Sequence, residues 1–560
     1  MVGGTVEVSA DQRFTGLARV AALVLTATLA AIVLVPFATT AQEEEADPFQ
    51  VFKVPTGTVL TIKGPNCFNF PGIADVCDLD VNPFFSEDFG TNGQDCATCH
   101  QPQLGWGTTP EFLRDQFSST QPQGLAPQFR INDAAINPTV SEADLSSEQA
   151  RRAAYALSLD LGDARLAIRV IGPPTDDFTV TAASVPSNAQ FGPLPVPAGQ
   201  DPQQPCTVQP AGACVATVSA FRRPLVTTNM FFDSSVLWDG RQNLNPPVLR
   251  AQVKGAVRTL ILGPTPSDSD ADMVAHFMTG IFTAMITDNK AGDLCAPGVP
   301  CRLGIRSPTG ALGGPTNLSL QKPCTPLVTG TCDPTPGFTL FNAWNNLGGT
   351  SDPCTPSPAG VAPEIGAQLA IACGQKLFNT VDLHSPAFAP LTGSSTGHCD
   401  TCHTAANVGD NTSAAFFINL GLASPPEFFI GGPTAAGNGT TMNLPKFRDR
   451  TSRLPLYVLQ STAVTPTGQC SSSPVGLIDG CIKVTDPGRA LISHHLVTNG
   501  NLDAGAFKPP ILRDLSPRAP FFHNGAAETL DDVVDFYNQL FDIRLTQRQH
   551  DSLVAFLQVL

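Results

Sequence analysis

Two five-residue strings decide the architecture of this 560-residue chain: Cys96-Ala97-Thr98-Cys99-His100 and Cys399-Asp400-Thr401-Cys402-His403. Each has the form C-x-x-C-H, the attachment site of a c-type haem. Two thiols at this spacing can form thioether bonds with the two vinyl groups of one haem, and the next histidine is then held beneath the iron. A zinc site would need two more ligands at matching spacing, and none flank either string. The sequence therefore predicts two covalently bound haem c groups, with His100 and His403 as iron ligands.

The composition restricts the partners of the chain. Charged residues make up 14% of it and hydrophobic residues 42%, with 51 Pro and 48 Gly. This pattern indicates short elements joined by long irregular connections around a buried core. The formal net charge of −16 makes nucleic acid an unfavourable ligand. The same charge either favours a cationic electron-transfer protein, such as a small cytochrome or cupredoxin, or serves solubility alone.

The N-terminus has the pattern of a secretory signal. Arg13 and Arg19 precede an apolar run at 20–35, and the small residue Ala41 precedes an acidic stretch. We expect cleavage near Ala41, so that residues 1–41 form a signal peptide. The run is short for a bilayer span, and the chain would be membrane-anchored only if the signal stayed uncleaved. Haem attachment to C-x-x-C-H takes place outside the cytoplasm, so we expect a periplasmic or secreted protein.

Twelve of the 16 cysteines lie outside the two motifs, and their spacing suggests small-loop disulfides in an oxidising compartment. They fall into six near-neighbour couples: Cys67/Cys77, Cys206/Cys214, Cys295/Cys301, Cys324/Cys332, Cys354/Cys373 and Cys470/Cys481. Sequence alone does not determine which cysteines pair.

The expected fold is mainly α, with two cytochrome c-type haem domains and long, disulfide-stapled irregular insertions. After the signal peptide, an acidic lead-in covers 42–81. The first haem domain covers 82–286 with an insertion at about 172–216. A Cys- and Pro-rich insertion or linker follows at 287–362, and the second haem domain covers 363–560. Apolar periodicity predicts helices at 146–159 and 270–285, and capping boxes at Thr529 and Thr546 predict two more near the C-terminus.

Beyond the motifs, several strings resemble the bacterial dihaem cytochrome c peroxidase family and its MauG-like branch. They are, in chain order, Arg222-Arg223-Pro224, Val236-Leu237-Trp238-Asp239-Gly240-Arg241, Asp486-Pro487-Gly488-Arg489, Phe507-Lys508-Pro509-Pro510-Ile511-Leu512-Arg513-Asp514 and Ala519-Pro520-Phe521-Phe522-His523-Asn524-Gly525. The insertions are more similar to long dihaem relatives, which include rubber-cleaving oxygenases. The resemblance covers about 82–110, 220–285 and 363–560.

The resemblance implies that the second haem is low-spin and transfers electrons. In the family its distal ligand lies 14 residues after the histidine of the last string, where peroxidases have Met. Counting from His523 gives Tyr537, as in the MauG-like branch. Tyr537 is otherwise an ordinary core residue of an amphipathic helix, and Met442 and His495 are weaker alternatives. A phenolate ligand would stabilise ferric iron relative to a Met ligand.

The resemblance also implies roles for Trp238, Gln252 and His523. Trp238 matches the family's tryptophan between the haems, an aromatic relay for electrons or holes; the alternative is a core residue in a turn. Gln252 matches a distal glutamine at the first haem. His523 is expected near a haem edge or propionate, and Asp239 and Arg241 are expected to be turn and propionate partners.

Two departures from the family affect the expected chemistry. The distal glutamate that assists O–O cleavage in the family has no counterpart, because no Glu occurs between Glu148 and Glu364. Asp270 or Asp272 would have to replace it. In addition, Arg223 and Arg518 stand about where the family's inter-haem calcium takes an Asn and a Thr, which argues against calcium.

Three functions are consistent with this pattern. The first is a peroxidase that reduces hydrogen peroxide with electrons from a small donor. The second is a MauG-like or oxygenase-like enzyme that acts on an organic or protein substrate at the first haem. The third is an electron carrier with no open coordination site. The missing Glu weakens the first, the insertions favour the second, and the sixth ligand of the first haem separates enzyme from carrier.

Overall fold

The computed structural model describes residues 50–86, 89, 94–119, 129, 147–184, 216–233, 235–243, 246–261, 263–294, 338–385, 395–403, 417–434, 440–465, 470–472 and 476–560. All of them fall within one structural unit, Ala46–Leu560. The predicted signal peptide lies outside the described residues, as do Cys206/Cys214, Cys295/Cys301 and Cys324/Cys332. In the part that is described, no helix is long and apolar enough to span a bilayer.

The strands are short, and in the described regions they pair with one another in antiparallel fashion. They are β1 (Gln50–Val54), β2 (Gly57–Lys63), β3 (Ala164–Val170), β4 (Phe178–Ala183), β5 (Ala216–Arg222), β6 (Ser235–Val236), β7 (Gln242–Asn243), β8 (Ile281–Asp288), β9 (Gly292–Asp293), β10 (Leu383–His384), β11 (Thr396–Gly397), β12 (Ile430–Pro433), β13 (Thr441–Asn443), β14 (Tyr457–Ser461), β15 (Cys481–Val484), β16 (Val497–Thr498) and β17 (Asn501–Leu502).

Three sheets organise these strands. The largest has the order β1-β2-β8-β9, with the buried strand β2 between β1 and β8. A second has the order β15-β14-β4, and the strands β3 and β5 form a third. The second sheet therefore pairs β4, from the predicted first haem domain, with β14 of the predicted second one, to which β15 also belongs. The remaining strands form two-stranded ribbons.

The helices carry much of the apolar core. They are α1 (Pro110–Ser119), α2 (Glu148–Ala154), α3 (Ala156–Leu161), α4 (Pro246–Thr259), α5 (Asp268–Gly280), α6 (Pro363–Thr380), α7 (Cys399–Cys402), α8 (Pro445–Thr451), α9 (Ala490–Ser493), α10 (Leu530–Leu540) and α11 (Gln547–Gln558). Both predicted capping boxes are confirmed, because Thr529 and Thr546 cap α10 and α11 with Asp532 and Gln549 as their partners. The predicted helix at 146–159 is present as α2 and α3.

The expectation of a mainly α fold is not confirmed, because helices and several small sheets both make up the described structure. Segments such as Thr58–Ile62 and Phe178–Ala182 are rich in β-branched residues but too short to stand out in a sequence, and their partners β8 and β14 lie far along the chain. Strand β4 falls inside the stretch predicted to be an irregular insertion, yet it pairs with β14. Part of that insertion is therefore ordered as sheet.

The helix predicted over 270–285 ends earlier than expected. Helix α5 stops at Gly280, and the next residues form β8 against β2. A Cβ atom at Gly280 would lie 2.7 Å from the Cys67 sulfur, so only glycine allows the disulfide to pack against this turn. The β-branched run that follows, with Ile281, Thr283 and Ile286, then favours a strand.

Three of the expected disulfides are present: Cys67–Cys77, Cys354–Cys373 and Cys470–Cys481. The two largest apolar cores of the described structure lie beside the two motifs. Helices α4 and α5 pack with Phe84 and Trp106 next to Cys96. Helices α6 and α11 pack face to face beside Cys399, and a Cβ at Gly374 would lie 2.0 Å from the Ser552 carbonyl oxygen. Glycine is thus needed for the close approach of these two helices.

Candidate haem-binding sites

The second motif forms one short helix, α7, whose geometry follows from its own sequence. The main-chain N–H of His398 donates to the Thr401 hydroxyl at 2.9 Å, and the N–H of Thr401 donates to the His398 carbonyl at 3.1 Å. The N–H of His403 then donates to the Cys399 carbonyl at 3.0 Å. The helical turn brings both thiols and the following imidazole to one wall of a cavity, as thioether attachment of a haem requires.

This cavity measures about 1360 Å³, counting the part open to solvent. Its walls are mostly apolar, with Leu420, Leu512 and Val533 among the side chains. Burial raises the pKa of the Cys399 thiol to about 12, so the thiol is neutral at physiological pH. An apolar cavity with two thiols and an imidazole on one wall fits a covalently attached haem.

Tyr537 lines the same cavity from α10. Burial strongly raises the pKa of its phenol, and the nearby Cys402 and Cys399 thiols act in the same direction. The two weaker alternatives lie elsewhere. Met442 is buried but does not line the cavity, and the His495 imidazole lies 3.0 Å from the Asp177 carboxylate on an exposed face. Of these three side chains, Tyr537 is the one that shares the cavity with the second motif.

His523 and Trp238 line the cavity as well, and their rings are in contact. The ring centroids lie 6.2 Å apart in an edge-to-face arrangement, and the His523 ring stacks on Phe507 at 3.9 Å. His523 is 1% exposed, and neither ring nitrogen has a hydrogen-bond partner among the described residues. Burial lowers the pKa of His523 to about 3, so its imidazole is neutral at physiological pH. An unpaired imidazole N–H in a cavity wall is suited to a haem propionate.

The first motif is also a tight turn. Asp95 accepts hydrogen bonds from the main-chain N–H of Thr98 at 2.7 Å and from its hydroxyl at 2.8 Å. The N–H of His100 donates to the Cys96 carbonyl at 3.1 Å. Burial, with a smaller contribution from Asp95, raises the pKa of the Cys96 and Cys99 thiols to about 12 and about 11. Both thiols are therefore neutral at physiological pH.

The tautomer of His100 follows from one contact. Its Nδ1 atom lies 3.1 Å from the main-chain oxygen of Trp106, which can only accept a hydrogen bond, so Nδ1 carries the proton. Nε2 is then left with a lone pair for iron, the arrangement that orients histidine ligands in metal sites. Trp106 has φ 59° and follows Gly105 at φ 62° in a tight loop that presents this carbonyl.

Gln252 and the two candidate acids lie on helices α4 and α5, which pack in the core beside the first motif. The Gln252 side-chain oxygen is buried and has no hydrogen-bond partner in the described regions. Asp272 forms two hydrogen bonds of 2.7 Å with Arg250, and Asp270 accepts from Ser267 at the start of its helix. The structure therefore ties both carboxylates to partners on the helices themselves.

Three of the strings that resemble the peroxidase family meet in a buried cluster of ion pairs. Arg222 binds Asp486 through Nε at 2.7 Å and through Nη2 at 2.9 Å, and Asp239 through Nη1 at 2.6 Å. Asp239 also accepts from Arg241. Burial raises the pKa of the Asp239 carboxyl, but Arg222 and Arg241 outweigh it and hold that pKa well below its usual range. Asp239 is thus ionised and paired with these two arginines. The Arg222 guanidinium also lies 5.7 Å from the Phe507 ring.

Three features of the sites were missed at the sequence level. The first is the Trp106 carbonyl, which no side-chain pattern reveals. The second is Phe507, whose stacking on His523 depends on two strings meeting in space. The third is Asp514, which is 1% exposed and has no hydrogen-bond partner for its carboxylate among the described residues. Burial raises the pKa of Asp514 to about 7, opposed by Arg518. Its position in the K-P-P-I-L-R-D string was the available signal.

Comparison with known proteins gives partial matches. The chain is 39% identical over 79 residues to cytochrome-c peroxidase IdrP2 of Denitromonas iodatirespirans, covering 13% of this chain and 22% of that protein. It is 37% identical over 79 residues to IdrP2 of Pseudomonas sp. (strain SCT), with the same coverage. It is 35% identical over 78 residues to cytochrome-c peroxidase IdrP1 of Denitromonas iodatirespirans, covering 12% and 21%. The chain thus matches about a fifth of the length of these relatives.

These matches support a cytochrome c peroxidase-like family and give no support to the MauG-like branch. No protein-family model matches the chain. Among solved structures, hydrazine synthase of Kuenenia stuttgartiensis pressurised with xenon aligns with 61% of this chain and 73% of its own. The identity is 13% and the TM-score 0.25, too low to support an argument about fold.

Proposed function

We propose that this chain is a periplasmic or secreted c-type cytochrome with two covalent haems, acting as an oxidoreductase of the cytochrome c peroxidase type. One observation carries the proposal: a single cavity brings together Cys399, Cys402, His403, Tyr537 and the ring pair of His523 and Trp238. Haem bound there supplies a redox-active iron. The peroxidase names of the partial relatives support hydrogen peroxide as the substrate.

We assign separate roles to the residues around each of the two motifs. In the second site, His403 and Tyr537 would hold the haem iron, and His523 would donate to a propionate. In the first site, His100, oriented by the Trp106 carbonyl, would hold the haem iron, and Gln252 would be the catalytic polar group. Peroxide reduction takes two electrons and two protons per hydrogen peroxide and yields two waters. A small cytochrome or cupredoxin is the proposed electron donor, and the net charge of −16 favours a cationic one.

Trp238 is the proposed electron relay between the sites. It lines the cavity of the second motif, while its neighbours Val236 and Leu237 pack in the core next to Cys96. The backbone of this one string therefore reaches both haem regions. Its indole N–H donates to the Arg223 carbonyl at 2.8 Å, which fixes the orientation of the ring.

A second candidate function is oxidation of an organic or protein substrate at the first haem, as in the MauG-like and long dihaem relatives that the sequence resembles. Two observations favour it. Tyr537 stands where the peroxidases of that family have Met, and no Glu between Glu148 and Glu364 can serve as the distal acid. An electron spin resonance spectrum of the ferric protein separates both enzymes from a pure electron carrier, because an open first site gives a high-spin signal.

The test of the proposal is the number of haems that stay attached after denaturation. We expect the intact mass of the mature protein to include two haems. Cys99→Ala and Cys402→Ala should each weaken attachment at one site only. Cys470→Ala is the matched control, because it removes a disulfide cysteine and should leave both haems in place. A wild-type mass with one haem or none would refute the proposal.

A further inference from the structure

Arg223 places a buried positive charge between segments that belong to the two haem regions. It is 6% exposed, and its guanidinium donates to three main-chain oxygens: Leu161 at 3.1 Å, Thr108 at 2.7 Å and Arg518 at 2.9 Å. Thr108 follows the first motif, Leu161 ends helix α3, and Arg518 precedes the loop that carries His523. One side chain therefore joins three segments that are distant in sequence.

The space around this guanidinium is shaped to admit it. A Cβ atom at Gly162 would lie 1.8 Å from the Arg223 Nη1 atom, so no larger residue fits there while the guanidinium is in place. Gly162 also has φ +70°, a conformation that favours glycine. Burial lowers the pKa of Arg223 to about 10, opposed by the Asp163 carboxylate, and the side chain remains a cation at neutral pH.

The main chain of the same residue contacts the main chain of His523 and the indole of Trp238. The Arg223 N–H donates to the His523 carbonyl at 2.6 Å, and the Arg223 carbonyl accepts from the Trp238 indole N–H at 2.8 Å. The backbone of Arg223 thus sets the spacing of Trp238 and His523, while its side chain holds that backbone against three other segments. A planar guanidinium can donate in several fixed directions at once, which a lysine ammonium does not reproduce.

We propose that Arg223 is a positioning residue whose guanidinium acts as an internal cation, clamping three main-chain oxygens and thereby holding Trp238 and His523 in the geometry that electron transfer between the haem sites requires. The inference rests on the proposed function. The step that it would support transfers one electron between the two haems. One iron would be oxidised as the other is reduced, and no bond would form or break.

Two variants of the haem-loaded chain test the proposal, each with a matched control. Arg223→Gln removes the cation, and Arg165→Gln removes another fully buried arginine, which donates to Ser219 instead of the relay. Gly162→Ala keeps Arg223 but fills the space of its guanidinium. Gly349→Ala changes a glycine of similar φ, +79°, whose Cβ would meet nothing within 4 Å.

The first readout does not depend on activity. Hydrogen–deuterium exchange followed by mass spectrometry reports the amide of residue 223, whose N–H is bound to the His523 carbonyl. We expect Arg223→Gln and Gly162→Ala to speed exchange there by about tenfold, with both controls close to wild type. The second readout is the rate at which the two haem bands equilibrate after mixing with substoichiometric dithionite. We expect the two test variants to slow it by up to ~100-fold.

The outcomes separate the inference from the function on which it rests. If both test variants keep the wild-type exchange and inter-haem rates, or speed exchange and slow electron transfer no more than their controls do, Arg223 is not a positioning residue. If both fail to fold while both controls fold, its role is general stability and the proposal is overturned. If wild type shows no inter-haem transfer, the proposed function fails, whereas the exchange result still decides whether Arg223 holds the ring pair.

Discussion

Replacement of Trp238 by Phe is the sharpest test of how the two haem sites communicate. The indole N–H donates to the Arg223 carbonyl at 2.8 Å, and Phe leaves that buried oxygen without its donor. An orphaned buried polar group costs ~1–3 kcal/mol, and the smaller ring leaves a void that costs more. We therefore expect Trp238→Phe to lower the free energy of unfolding by ~2–4 kcal/mol while both haems stay attached.

The same substitution should slow electron transfer between the haems. Loss of the indole removes the edge-to-face contact with His523 across 6.2 Å between ring centroids. We expect the haem bands to equilibrate at least about tenfold more slowly, equivalent to ~1.4 kcal/mol in the barrier. Stopped-flow mixing with substoichiometric reductant, read at both haem bands, measures this rate directly.

Trp344→Phe is the matched control for this experiment. Trp344 is 3% exposed, packs on Phe341 at 4.8 Å between ring centroids and does not line the cavity of the second motif. It should lower stability without changing the inter-haem rate. A folded Trp238→Phe variant with wild-type inter-haem kinetics would rule out the relay. Equal slowing in both variants would mean that rigidity of the core, and not the indole, determines the rate.

Four further predictions follow from the sites. Tyr537→Phe keeps the ring but should alter the low-spin spectrum of the second haem, whereas Tyr457→Phe, which removes a buried hydroxyl bound to Ser219, should not; identical spectra for Tyr537→Phe and wild type would make Tyr537 a core residue. Peroxide turnover should be ~100-fold to ~10,000-fold slower than in a dihaem peroxidase that has the distal Glu, and an equal steady-state rate would show that another acid replaces it. Dialysis against EDTA should leave the inter-haem rate unchanged, because Arg223 occupies the main-chain oxygens between the sites; recovery of a lost rate on adding calcium would contradict this. Burial raises the pKa of Asp514 from near 4 to about 7, so the folded state binds its proton more tightly and the wild-type protein loses stability as the pH rises through that window. In urea unfolding, Asp514→Asn should therefore gain stability over wild type by up to ~4 kcal/mol between pH 4.5 and 8. A stability difference that does not change with pH would refute this assignment.

The features that the sequence predicted are local ones. Each C-x-x-C-H motif is a five-residue pattern, the capping boxes at Thr529 and Thr546 span four residues, and Cys67–Cys77 closes a short loop. Such patterns are decided by neighbours in the chain, so one sequence is enough to find them. The spacing that selected Tyr537 came from a family resemblance, and its role as an iron ligand stays a prediction.

The features that were missed depend on contacts between distant segments. Phe507 stacks on His523, and Arg223 reaches Thr108 and Arg518, yet none of these pairs is marked by a periodicity. The strands were missed for the same reason, because a short strand is defined by its partner more than by its own residues. The asparagine-to-arginine departure at Arg223 signalled that calcium was unsuited, but it could not reveal the three oxygens that the guanidinium binds.

The sheet that contains β4 and β14 has a consequence for the order in which the protein is made. Its strand Phe178–Ala183 is synthesised long before its partner Tyr457–Ser461 and stays unpaired until that partner is available. Pairing over such a separation is slow, because the intervening chain must be brought together first. If the chain is exported and loaded with haem as proposed, its N-terminal half is still open before this sheet closes, and the Cys96 and Cys99 thiols, which the finished fold partly covers, are accessible for haem attachment. We expect haem insertion to precede closure of this sheet, so that late synthesis of the C-terminal half sets the time available for loading the first site.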